Sequence, residues 1–211
     1  MAIIGNTSIS IPAALYADIR DTIYARSGRP DLIADTAAAI RKATMKLHMA
    51  DLWKNDLVEV IYQVGTVDSA NSSYRFSIDL TDPLKFARYR RISHIKEYNS
   101  PLTGRELNFN ELDADRLFDG YGAECIDYWY QAGQQVNVRS SISISNLRIG
   151  YFSYPDVVPA TYSSWIARQF PDAIIEEALS TIFKSIGKDT EYQRLAQAFN
   201  DNLAMLRTTQ I

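Results

Sequence analysis

A pair of helices that cannot stand alone sets the terms for this chain. Residues 171–186 carry the apolar stripe Ile175, Ala178, Leu179, Ile182 and Ile186, opening just after Pro171, and residues 189–207 carry Tyr192, Leu195, Phe199, Leu203 and Leu206. Both spacings are those of one helical face. Between them Gly187 supplies a left-handed stop and Asp189 a cap for the second helix, with Glu191 placed favourably for the helix dipole. A hairpin of two helices has no third surface on which to bury both stripes, so the chain must supply partners elsewhere. Two upstream segments qualify. Residues 12–27 repeat Leu15, Ile19 and Ile23 at every fourth position, with Pro12 near the start and Gly28 as the stop. Residues 31–53 follow an Asp31 cap with Ile33, Ala37, Ile40, Thr44 and Leu47, and beside that stripe His48, Met45 and Met49 read as core edge or surface.

After Asn55 the period drops from four to two. Val58, Val60, Tyr62 and Val64 form one face of a strand, Tyr74, Phe76 and Ile78 begin a second after a polar loop at 65–73, and residues 88–97 alternate as a third. Asn110 and the acidic turn at 111–115 predict a short helix to Gly120. Residues 125–131 then form an aromatic strand, a turn at 132–134 leads into Val136, Val138 and Ser140, and Ile142, Ile144, Leu147 and Ile149 alternate beyond. The predicted fold is α+β: a four-helix body, made of two N-terminal helices plus a C-terminal helical hairpin, with an inserted antiparallel β-rich module. By residue, 1–55 hold an arm and two helices, 56–152 the inserted module, and 153–211 a connector and the hairpin that completes the body.

Composition narrows the function classes. With 46% hydrophobic and 22% charged residues the chain is ordinary globular material. No apolar run approaches 18 residues and the N-terminus lacks a signal-peptide pattern, so the expectation is a soluble protein, assembled in the cytoplasm, with no membrane partner. The lone Cys125 and the two histidines, His48 and His94, write no zinc site of usual spacing, and no cofactor is expected. Gly187, Lys188, Asp189 and Thr190 resemble the tail of a phosphate loop, but Ile182 stands where its first glycine is needed. Asp113, Asp115 and Asp119 before Gly120 hint at a calcium loop that Leu117 interrupts at a ligand position. Neither a Gly-x-Ser-x-Gly elbow nor a helical histidine pair is present, so no enzyme is expected. One feature suits a nucleic-acid-binding module: the basic run Arg88, Arg90, Arg91 and Lys96, with the aromatic run Tyr128, Trp129 and Tyr130, could hold a strand by charge and stacking. A net charge of −3 gives that reading no bulk support, and the same basic edge could equally meet an acidic neighbour.

The order of these elements resembles a known family. Two N-terminal helices, a β-rich middle, the strand Leu147, Arg148, Ile149, Gly150, Tyr151 ending at Tyr154 and Pro155, then Ser164, Trp165, Phe170 and Pro171 opening a two-helix C-terminus, are similar to the head-to-tail adaptor, or connector, proteins of tailed bacteriophages. The large β insertion is similar to the longer adaptors of short-tailed phages, sometimes called tail tube protein A. The resemblance implies a structural virion protein of the neck and tail. Its partners would be the portal protein, a tail nozzle or tail tube protein, further copies of itself in a ring commonly of twelve, and DNA passing through the channel without sequence recognition. The residues expected at such interfaces are Ile3 and Ile4 of the arm, Arg88, Arg90 and Arg91 of the basic run, Tyr154 and Trp165 of the connector, and Leu206, Arg207 and Ile211 at the end.

Overall fold

The computed structural model describes residues 10–65, 67–70, 73–98, 107–112 and 126–209. The arm residues Ile3 and Ile4, the end residue Ile211, Cys125, the interrupted calcium-loop pattern and most of the short helix expected before Gly120 lie outside them. The chain divides into two compact units. One comprises Met1–Asp56 with Tyr154–Ile211, the other Leu57–Ser153, so each boundary falls one residue from its expected place. The protein is an α+β mixture.

In the helical unit, α1 (Ser10–Ser27) and α2 (Ile33–Met49) come from the N-terminal side, and α3 (Trp165–Gln169), α4 (Pro171–Ser185) and α5 (Asp189–Thr209) from the C-terminal side. Helix α4 is the hub: α1, α2, α3 and α5 all pack on it. Its sequence explains why. Ile174, Ile175, Ala178, Leu179, Ile182 and Phe183 are all buried, an apolar arc wider than one stripe, so several faces need cover. Ile19 and Ile23 of α1 and Ile40 and Leu47 of α2 supply part of it. Two expectations shift here. Ile33 is 67% exposed, because α2 begins there and its buried face runs through Thr36, Ala39, Ile40, Ala43 and Thr44. Asp31 does not cap α2 but pairs with Arg29.

The turn between α4 and α5 accounts for the sequence that resembled a phosphate loop. The Lys188 N–H donates to the Phe183 carbonyl at 2.9 Å and the Gly187 N–H to that of Lys184 at 3.4 Å, with Gly187 at φ 74°. This paired closure is the glycine stop that satisfies the last helical carbonyls. Helix α5 is less covered than its stripe predicted. Leu195 and Leu206 are buried, whereas Tyr192, Phe199 and Leu203 are only half-buried.

The β unit is one eight-stranded sheet of β1 (Leu57–Gln63), β2 (Asp68–Ala70), β3 (Ser73–Asp79), β4 (Tyr89–Glu97), β5 (Asn108–Glu111), β6 (Tyr128–Ala132), β7 (Gln135–Ser140) and β8 (Asn146–Ser153), in the order β1-β8-β4-β5-β6-β7-β3-β2. Alternation buries Leu147, Ile149 and Tyr151 of β8, Val136 and Val138 of β7, and Phe76 and Ile78 of β3 in one core. The sheet is not antiparallel throughout: β5 and β6 run parallel, tied by Asn110 N–H to Asp127 O and Leu112 N–H to Trp129 O. Strand β5 also corrects the expected helix cap, since Asn110 and Glu111 belong to a strand. Strand β2 lies within the segment read as a loop.

Strand β8, flanked by β1 and β4, carries a glycine for a steric reason. A bulge in β4 between Ile92 and His94 sets the His94 ring directly over Gly150, where an added Cβ would lie 2.2 Å from the ring's Cε1. His94 in turn reaches Glu59 of β1 at 3.2 Å. Gly150→Ala is therefore expected to swing His94 off the sheet and cost about 1–3 kcal/mol, the usual range for overpacking. In a His94→Ala background the same change should cost close to nothing. Urea unfolding of the four-member mutant cycle measures this coupling.

Candidate functional site

The densest polar constellation of the helical unit is buried, and it forms where the chain leaves that unit and where it returns. After α2 ends at Met49, the Trp53 indole N–H donates to the Leu47 carbonyl at 3.0 Å, closing one of the open carbonyls of the helix end. A single 3-10 turn, Lys54–Asp56, then points Asp56 inward at 6% exposure. On the returning side Ser164, in extended conformation, caps α3 by accepting the Ala167 N–H at 3.1 Å. His48 of α2 stands between them at 1% exposure: Nδ1 lies 2.9 Å from both Asp56 oxygens, and Nε2 lies 2.9 Å from the Ser164 Oγ.

Donor and acceptor roles follow from the partners. A carboxylate only accepts, so the proton on His48 sits on Nδ1, and the Trp165 indole N–H donates to the same carboxylate at 2.9 Å. In the neutral ring Nε2 then accepts from the Ser164 hydroxyl. The Trp165 ring packs edge-on against His48, Trp53 and Phe170, which seats the indole over the cluster. Next to it, Thr44 gives its proton to the Ile40 carbonyl at 2.8 Å, so the Tyr162 hydroxyl, 2.6 Å away, must be the donor to Thr44. Burial pushes the Tyr162 phenol up to about 12, against the opposing pull of the neighbouring Thr44 and Ser164 hydroxyls.

Ser164, His48 and Asp56 thus have the connectivity of a serine nucleophile, its base and the carboxylate that orients the base. What the arrangement lacks is an approach. Ser164 is 2% exposed, and its oxygen is already engaged by the Ala167 N–H as a helix cap. Such a serine meets neither substrate nor water, and the cluster acts as a clamp joining α2, the 3-10 turn and α3. A fluorophosphonate probe is accordingly expected to leave Ser164 unmodified in the folded chain, as read by intact mass and peptide mapping.

The sequence placed His48 at the edge of a helix face, and the structure corrects this to full burial. Its four-residue spacing from Thr44 was a usable signal for the inward face. The partners were not readable, since Asp56 comes from a single turn and Ser164 lies 116 positions away. Among the residues expected at interfaces, Trp165 is committed to Asp56 and Leu206 is fully buried in the helical core. Tyr154 is half-buried, and Arg207 is exposed and pairs with Asp51 at 3.1 Å. In the β unit, Arg88 precedes β4 in a left-handed backbone conformation at φ 54°, Arg90 is half-buried and Arg91 exposed. A first bulge, between Tyr89 and Arg91, resets the alternation, so the three do not line one face. Strand β5 separates β4 from the aromatic strand β6, in which Trp129 is core and Tyr128 is buried.

A second feature of the helical unit is open. Helices α2 and α5 both rest on α4 and leave a trough between them, about 510 Å³ at its apolar end. Met45, Met49 and Ala50 line one wall there, and Phe199 and Leu203 the other. Toward the start of α5 it continues as a polar recess of about 290 Å³, with Lys42 and Lys46 shared between the two parts. Among the described residues no group of acidic, histidine or cysteine side chains could hold a metal ion, and no helix is long and apolar enough to cross a membrane. Compared with known proteins, the chain matches no family model and no curated protein.

Proposed function

We propose that this chain is a structural virion subunit, a head-to-tail adaptor that forms a ring between the portal and the tail of a tailed phage. In that position it extends the DNA channel and docks the tail nozzle or tube. The observation that carries the reading is the build of the chain: its two ends combine into one helical unit around α4, and the eight-stranded unit is inserted between them. This is the order of elements on which the likeness to connector proteins rests. It suits an assembly subunit, because an anchored body and an inserted module offer two different surfaces, as a head-to-tail ring requires. The surface features point the same way. The relay-like cluster is sealed, whereas an open trough is lined by exposed Met49 and by half-buried Met45, Phe199 and Leu203.

A nucleic-acid-binding role for Arg88, Arg90 and Arg91 draws less support, because stacking needs exposed rings and Tyr128 and Trp129 are buried. The deciding experiment mixes the purified chain with the portal ring of the same phage and images the product by negative stain, with mass measured in parallel. An added layer at one end of the portal is the expected result. A portal that stays bare beside a folded chain overturns the proposal.

A further inference from the structure

Three helices converge on the polar recess toward the start of α5. Lys42 and Lys46 come from α2, four residues apart and so on one side of that helix, and Glu177, Ser180 and Lys184 come from α4 at spacings of three and four. Tyr192 of α5 closes the third side, with the Lys184 ammonium 5.4 Å from the centre of its ring. Lysines four apart on one helix repel, and Lys184 across the recess adds to that repulsion. Glu177 is the only carboxylate lining the recess, and it pairs with Lys46 at 2.7 Å. In a chain of net charge −3, three cations against one anion make this recess locally positive.

The floor carries an independent sign. Ser180 lines the recess at 5% exposure, and its hydroxyl has no hydrogen-bond partner among the described residues. A serine inside a helix can return its proton to the carbonyl four residues back, as neighbouring Thr181 does to Glu177 at 3.3 Å. Ser180 does not. A hydroxyl buried without a partner is unfavourable to the fold alone, and it is a ready donor to an anion that enters.

We propose that this recess binds a phosphate group, carried by inorganic phosphate or by a small phosphate monoester. The Ser180 hydroxyl donates to a phosphate oxygen from the floor, and the exposed Lys42 and Lys184 supply charge from the rim. The charges match, since such a group carries about −1.5 to −2 at neutral pH. At about 290 Å³ the recess is at the small end for a ligand cavity, which suits a compact anion. A polyanion lying across the rim would meet the lysines and miss Ser180, so the floor separates a site from a merely charged surface. Such a site is independent of the adaptor role and needs only the helical unit.

Calorimetric titration of the full chain at low salt tests it, with inorganic phosphate and glycerol 3-phosphate as the probes. One saturable site is expected, and the tighter probe tells free phosphate from an ester. Ser180→Ala should weaken binding about tenfold, the loss of one hydrogen bond to a charged group. Lys42→Gln with Lys184→Gln should weaken it at least as much, and neither lysine holds Glu177. Without ligand, Ser180→Ala should leave the urea midpoint where it was, because the hydroxyl has no partner to lose. A lowered midpoint would show the hydroxyl spent on the fold and overturn its role as donor. No saturable heat from either probe below about 10 mM overturns the site. So does binding that survives either set of substitutions. A DNA duplex that binds with the same dependence on the two lysines and none on Ser180 also overturns it, and makes the lysines a surface for a polyanion.

Discussion

Replacing Asp56 by alanine is expected to lower the stability of the helical unit by about 4 kcal/mol, a large share of what holds a domain together. The size follows from what the carboxylate serves. It accepts from buried His48 Nδ1 and from the indole of half-buried Trp165, and deletion strands the first donor inside the cluster and leaves the second without its acceptor. Each stranded donor costs about 1–3 kcal/mol. Ser164→Ala should cost less, about 2 kcal/mol, since the lost cap on the Ala167 N–H is worth about 1 kcal/mol and one further group, His48 Nε2, is left unmet. Urea midpoints of the two variants give the order directly. A cost below about 1 kcal/mol for Asp56→Ala would mean that His48 finds other partners, and the clamp would then not exist.

The clamp also marks where sequence reading stops. The stripes of α1, α2 and α4 were legible because a helical face repeats locally, and Gly28 and Gly187 both hold the left-handed conformation their stop positions require. Helix α3 was missed because five residues are too few to show a period, although Ser164 ahead of Trp165 is a cap signal. At Asn110 the local signal was misleading: a capping residue before an acidic run favours a helix, but pairing with β4 and β6 on either side draws the chain into β5. The basic run failed as a stripe for another reason. Alternation fixes faces only while register holds, and each of the two bulges in β4 resets it. His48 needed information no local window carries, because its partners are assembled by the return of the chain after a whole inserted sheet.

Raising the pH gives a second large effect at one side chain. The Tyr162 phenol is fully buried and its folded value is pushed up to about 12, with burial as the main cause, whereas an unperturbed tyrosine titrates near 10. The folded state therefore holds this proton more tightly than the unfolded chain. Below pH 10 both states are protonated and the stabilisation is fully present. Between about pH 10 and 12 the unfolded chain releases the proton while the fold keeps it, so stability falls by roughly 1.4 kcal/mol per pH unit, about 3 kcal/mol across the window. Tyr162→Phe removes that slope and, at neutral pH, costs about 1 kcal/mol for the hydrogen bond to Thr44. The two proteins should thus differ in stability at pH 8 and cross as pH rises, the phenylalanine variant becoming the more stable above about pH 10.7. Tyr16, edge-on to Tyr162 with a phenol also raised by burial, adds a slope common to both proteins, and the comparison cancels it. Urea titrations at half-unit steps from pH 8 to 11.5 read the difference. Parallel curves would show that Tyr162 ionises as freely in the fold as outside it, and the polar cluster beside it would then be open to solvent.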